Sequence, residues 1–219
     1  SNYRTLPPPP PPGKPVERRL RLVSPYGLNE ARHDIVSALI KAIRGTDPDA
    51  ALYWLARLLE GGEDPLFVAR RLVILAAEDV GLADPHALMV AVAAQQAAHF
   101  VGMPEGFYPL AEATLYLALA PKSNSVGESY KQALDAVRKA PNEPVPLHLR
   151  NAPTGYMKNI GYGTNYKYPH SYPGHFLQEE YLPKELKDKQ YYLPSENGNE
   201  KTMKERLSTL WHGRKKYDK

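Results

Sequence analysis

Residues 63–87 read EDPLFVARRLVILAAEDVGLADPHA. Val68, Leu72 and Leu75 fall at the three- and four-residue spacing of one helix face, so the stretch predicts an amphipathic helix over 65–80. The punctuation at its two ends recurs elsewhere. Gly45 precedes Asp47-Pro48, Gly61-Gly62 precedes Asp64-Pro65, and Gly81 precedes Asp84-Pro85. Glycine tolerates the left-handed conformation that ends a helix. Aspartate then supplies an N-cap acceptor at the positive end of the next dipole, and proline is pre-set for a first helical position. The three aspartates are therefore read as caps and not as an acidic site.

Working outward, this device predicts helices over 30–44, 48–60, 65–80 and 85–101, joined by tight turns that imply antiparallel neighbours. Their expected inner faces are Ile35, Leu39 and Ile43; Leu52, Leu55 and Leu59; Val68, Leu72 and Leu75; and Leu88, Val92 and Ala98. A fifth helix follows Met103-Pro104 and runs to Ala120, where Pro121 ends it. Its stretch 115–119 is apolar on more than one side, which points to burial against several neighbours or against another subunit. A sixth helix over 124–139 carries Val126, Tyr130, Leu134 and Val137 on one face. The fold class is all-α: a bundle of about six helices.

From residue 141 the character changes. Eight of the fifteen tyrosines lie in 151–192, among glycines and prolines. This predicts an irregular, ordered wrap with one short helix near 153–160 capped by Asn151, its tyrosine rings laid on the helical body. Met203, Leu207 and Leu210 restore helical spacing over 199–211, and residues 214–219 are expected to be disordered. The organisation expected is a proline-rich, basic arm (1–29), a helical oligomerisation domain (30–140), an irregular Tyr-rich extension (141–198) and a C-terminal helix with tail (199–219). Ser1-Asn2 reads as a remnant of an expression tag. The six prolines of 7–12 form a polyproline II rod, read as a semi-rigid linker before an SH3-type ligand.

Composition excludes several classes. Hydrophobic content of 42% and charged content of 24% suit a soluble globular chain, and no apolar run reaches a membrane span. With no cysteine, disulfides and Cys-ligated zinc are excluded, which fits a reducing cytoplasm. The net charge of +4 is uneven: +4 over 1–29, −5 over 30–147 and +5 over 148–219. Basic ends flank an acidic body, and such ends either meet nucleic-acid phosphates or are simply solvated.

Catalytic constellations are not found. The only Gly-Lys, at 13–14, lacks the P-loop frame and is followed by Pro15, and Glu78-Asp79 sits in helical periodicity instead of ending a Walker B strand. The chain is expected not to be an enzyme by itself. His170 and His175 lie five apart, with His148 as a possible neighbour, but no zinc template accompanies them. A hydrolase built on that pair is the weakest reading, and no metal site is expected.

Three phrases carry a resemblance: EDPLFVARRLVILAAEDVGLADPHA at 63–87, LYLALAPKSNS at 115–125 and VPLHLRNAPT at 145–154. Together they resemble the C-terminal region of the replication-associated recombination protein A (RarA/MgsA) family of AAA+ ATPases, related to the Werner-helicase-interacting protein. The resemblance covers roughly 34–192. It implies a clamp-loader-like collar that joins copies into a homotetramer, with the ATPase machinery upstream of these residues. ATP and magnesium are then expected for the parent protein and no cofactor for this chain. DNA and single-strand-binding protein are possible partners, no membrane is involved, and the location is cytoplasmic, at the nucleoid. Leu115, Tyr116 and Leu119 are the candidate oligomer contacts. Lys122, Arg150, Lys158 and Lys167 are the candidate DNA or intersubunit contacts. Arg150 suits a carboxylate or carbonyl pin as well as a phosphate. The Gly-Tyr stretch of 161–170 suits base stacking as well as folding.

Overall fold

The computed structural model describes residues 28–140 and 142–217, with side chains from residue 32 onward. The proline run, Gly13-Lys14 and Ser1-Asn2 lie outside the described residues. The described residues are helical and irregular, without a strand. The α-helices are α1 (Leu28–Arg44), α2 (Pro48–Glu60), α3 (Pro65–Leu75), α4 (His86–Val101), α5 (Phe107–Leu119), α6 (Ser125–Lys139), α7 (Gly155–Asn159) and α8 (Glu200–Leu210). They fall into two compact units. The first runs to Ala76 and resumes over His86–Ala120, and the second comprises Ala77–Pro85 and Pro121–Lys219.

In the first unit α5 is the centre, touching each of α1 to α4. Leu110, Ala113, Thr114, Leu117 and Ala118 are buried on more than one side of it, so its unusually apolar sequence is explained by four helical neighbours. Thr114 satisfies its hydroxyl by donating to the Leu110 carbonyl at 2.8 Å. Asp47 accepts from the Ala50 amide and Asp64 from the Leu66 amide, each at 2.9 Å. These are the capping roles the Asp-Pro pairs suggest.

Three local expectations are corrected. Gly45 does not take the left-handed conformation; Thr46 does, at φ 61°. On α2 the deep positions are Ala51, Leu55 and Leu58, with Leu52 and Leu59 half-buried. On α4 the inner face is alanine: Ala87, Ala91, Ala94 and Ala98 are buried, and Leu88 and Val92 are exposed. Small residues let helix backbones approach closely, so the large side chains of α4 point outward.

The expected 65–80 helix ends at Leu75 and continues as a π-helical turn, Ala76–Val80, and a 3-10 turn, Gly81–Ala83. Glu78 and Asp79 therefore sit on a π turn, wider than an α-helical one, and not at the end of a strand. In the second unit this segment receives the chain from two sides. The Ser123 amide donates to the Asp79 carbonyl at 2.7 Å, and the Asn199 amide to the Ala83 carbonyl at 2.8 Å. Gly198, at φ 53°, lies so close that an added Cβ would stand 2.2 Å from the Ala83 carbonyl oxygen. No side chain fits there.

The extension follows as short turns, with α7 capped by Thr154, whose hydroxyl accepts from the Met157 amide at 3.3 Å, and not by Asn151. The expectation of a disordered tail is overturned for Arg214 to Tyr217. Arg214 pairs with Glu180 at 2.6 Å and with Asp188 at 2.9 Å. The Gln190 amide group clasps the Lys216 backbone through two hydrogen bonds of 3.1 Å. Gln178 closes the end of α8 by donating to the carbonyls of Leu210 and His212.

Candidate interaction site

The turn APKSNS at 120–125, part of one of the three phrases that carry the resemblance, builds an internal latch. Glu200 is fully buried at the start of α8. Its carboxylate accepts from the Ser125 hydroxyl, from Tyr192 at 2.8 Å and from Ser195 at 2.6 Å. Burial pushes this carboxyl up, but the hydroxyls of Ser123, Ser125, Ser195 and Tyr192 outweigh that and hold it below the usual carboxylate range. Burial and the bond to Glu200 push the Tyr192 phenol well up. Charge-assisted bonds of this kind are roughly twice as strong as neutral ones. The sequence reading missed this group because Ser125 and Glu200 lie 75 positions apart. Its only local signal is a helix beginning with a glutamate after the turn Ser195-Glu196-Asn197-Gly198-Asn199.

The four candidate cations all lie in the second unit. Lys122 is half-buried in the latch region. Burial lowers its ammonium below the ordinary lysine value, with Asp79 acting in the opposite direction, and its carbonyl accepts from Asn197 at 2.8 Å. Arg150 is engaged within its own segment: it donates to the Val145 carbonyl at 2.7 Å and the Tyr162 hydroxyl at 3.1 Å, with its guanidinium 5.0 Å from the Tyr162 ring centre. Lys167 pairs with Glu179 at 3.1 Å, and that bond raises the lysine and lowers the glutamate. Lys158 is exposed on α7, and no described side chain pairs with it.

Beside Lys167 lies a cavity of about 410 Å³ lined by Leu147, His148, Thr164, Asn165 and Glu179 among others. His148 Nε2 donates to the Glu180 carbonyl at 2.9 Å, away from the other two histidines. His170 and His175 do meet, their Nδ1 atoms 3.1 Å apart, so one ring must donate and the other accept. No third His, Asp or Glu joins them among the described residues.

The tyrosines are less covered than expected. Tyr156, Tyr166, Tyr168, Tyr172 and Tyr181 are all exposed, while Tyr162, Tyr191 and Tyr192 are half-buried.

The clearest interaction feature is apolar. On α6 only Ser125 is buried. Val126, Tyr130 (69% exposed) and Val137 (57% exposed) stand out, with Leu134 half-buried between them. Their spacing makes one stripe along an otherwise charged helix. The first unit has its own apolar surface: Leu88, Met89, Val92 and Phe100 on α4, and Phe107 and Tyr108 at the start of α5. Of the sequence-predicted contacts on α5, Leu119 is 65% exposed, while Leu115 and Tyr116 are half-buried.

Two compact units, exposed apolar helix faces and no described helix long and apolar enough to cross a membrane define an all-α region without a strand among the described residues. The family model for the MgsA AAA+ ATPase C terminal matches residues 45–211, and the chain belongs to that family. The replication-associated recombination protein A of Haemophilus influenzae is 48% identical over 207 residues, covering 90% of this chain and 46% of that protein. That of Escherichia coli K12 is 48% identical over 179 residues, covering 81% and 40%. The ATPase WRNIP1 of Dictyostelium discoideum is 44% identical over 164 residues, covering 74% and 19%. The chain thus spans less than half the length of these relatives.

Proposed function

We propose that this chain is the self-association region of a AAA+ ATPase that acts in DNA replication and recombination, and that it joins copies into a homotetramer. The observation that carries the reading is the exposed stripe Val126, Tyr130, Leu134 and Val137 on α6. An amphipathic helix left uncovered in this way is stabilised when a second copy covers it, since burial contributes about 25 cal/mol per Å² of apolar surface. The α4 surface is a second apolar face, on the other unit. Two distinct self-complementary faces are what a closed tetramer with two kinds of two-fold contact requires. The parent would bind ATP and magnesium through segments outside this chain, and it would work in the cytoplasm at the nucleoid.

Sedimentation velocity on the chain and on its Tyr130→Lys/Val137→Lys variant tests the reading. The variant is expected to sediment as a smaller species with unchanged helical circular dichroism. A variant that assembles like the parent chain would remove α6 as the interface.

The exposed tyrosines favour a second reading, in which the extension stacks single-stranded bases, with Lys158 and Lys167 near the phosphates. Affinity for an oligonucleotide that falls steeply with salt supports it. Indifference to DNA at low salt eliminates base stacking, and docking of single-strand-binding protein on the same surface is checked by its co-elution with the chain.

A further inference from the structure

In the first unit a groove of about 420 Å³ runs between α1 and α3. Val36, Ile40 and Phe67 line it with apolar surface, and Lys41, Arg44 and Arg71 supply cations, with His33 beside them. His33, Ser37, Lys41 and Arg44 follow one face of α1 over about 16 Å, at 1.5 Å per residue. The segregation of charge is pronounced. Residues 28–76 and 86–120 hold six Lys/Arg against nine Asp/Glu, yet five of those six cations are on α1 and α3.

The neighbouring arginines are engaged. Arg32 pairs with the buried Glu63 carboxylate and lies 4.5 Å from the Phe67 ring centre. Arg70 stands 4.0 Å from Asp64 and 6.0 Å from the same ring. The Nε atoms of Arg32 and Arg71 are both buried without a hydrogen bond among the described residues. Arg32 Nε still meets the Glu63 carboxylate as an ion pair, whereas Arg71 makes no ion pair among the described residues. A guanidinium donor withdrawn from water without an acceptor destabilises the fold, and it fits an acceptor brought from outside.

We propose that this groove docks a short acidic peptide segment of a partner protein, with carboxylates on the Arg71–Lys41 rim and aliphatic side chains on the Val36–Ile40–Phe67 floor. Carboxylates match the planar fork of arginine in bidentate geometry. A nucleic-acid strand fits less well. Arg32 already covers a face of Phe67, which removes it as a stacking platform there, and the acidic excess of the unit repels a long polyanion beyond the groove. The chain's own N-terminal stretch is the wrong occupant by charge, since residues 1–29 hold five Lys/Arg against one acid.

Fluorescence anisotropy on the full chain tests this, with a fluorescein-labelled EELDLE peptide, its neutral counterpart QQLNLQ, the floorless EEGGGE and an oligo-dT strand. EELDLE is expected to bind saturably, and Arg71→Met or Lys41→Glu is expected to weaken it at least about tenfold, the loss of a charge-assisted bond. QQLNLQ and EEGGGE are expected to bind more weakly. Arg71→Met should leave the melting temperature unchanged or raise it. Absence of EELDLE binding, equal binding of QQLNLQ, or oligo-dT binding that Arg71→Met abolishes would overturn the proposal. A lowered melting temperature in Arg71→Met would make the residue a structural pin and overturn it as well.

Discussion

The two units keep water out by different means. In the first, Leu39, Ile43, Leu58, Leu72, Leu110 and Leu117 are all at most 1% exposed and pack around a central helix. In the second, only six described residues are buried, and four of them are polar: Asp79, Ser123, Ser125 and Glu200, beside Val80 and Ala83. The first unit is held by area removed from water, which is non-directional. The second is held by directional bonds from hydroxyls, guanidinium and side-chain amides to groups distant in sequence. A unit of the second kind folds with little apolar core, leaves the stripe of α6 uncovered and depends on a few groups.

Four perturbations separate the two modes. Leu110→Ala, at the centre of the first unit, is expected to have the largest effect, about 3 kcal/mol of destabilisation in denaturant unfolding, from lost transfer energy plus a cavity. Glu200→Gln is expected to cost about 2 kcal/mol by weakening charged hydrogen bonds. Hydrogen exchange should locate that loss in α6 and α8 and leave α1 to α5 as protected as before; uniform deprotection would merge the two modes. Arg214→Ala follows at about 1 kcal/mol, since its partners are partly solvated, with faster exchange confined to 178–190 and 211–217. Acid titration provides the fourth. The folded Glu200 carboxyl is depressed, so its contribution is present above the unfolded value of about 4.3 and is lost as pH falls through the folded one. Tyr192 is raised, so its contribution is present below about 10 and declines above it. The second unit should therefore be most stable between about pH 5 and 9, and the acid limb should flatten in Glu200→Gln. An unchanged acid limb in that variant would remove the latch as the cause.

The same contrast explains what could be read in advance. The helices of the first unit and the caps Asp47 and Asp64 were legible because each rests on residues a few positions apart. The inner face of α4 was misjudged because side-chain size favoured Leu88 and Val92, whereas Ala87, Ala91, Ala94 and Ala98 permit the closer helix contact. The apolar face of α6 was legible as a stripe, but no local pattern says whether a stripe meets its own fold or is left open. The pins of the second unit were not legible at all: Arg214 finds Asp188 and Glu180 at separations of 26 and 34 residues, and Glu200 finds Ser125 at 75. Arg70 and Arg71 are neighbours of one type in the sequence, and only the fold sets the Asp64 carboxylate 4.0 Å from the first and buries the Nε of the second without a hydrogen bond.

Light scattering on a sizing column, at two protein and two salt concentrations, tests the central claim of self-association most directly. A tetrameric mass that persists at high salt is the result predicted for contacts made by apolar helix faces. A monomeric mass under all four conditions would contradict the account.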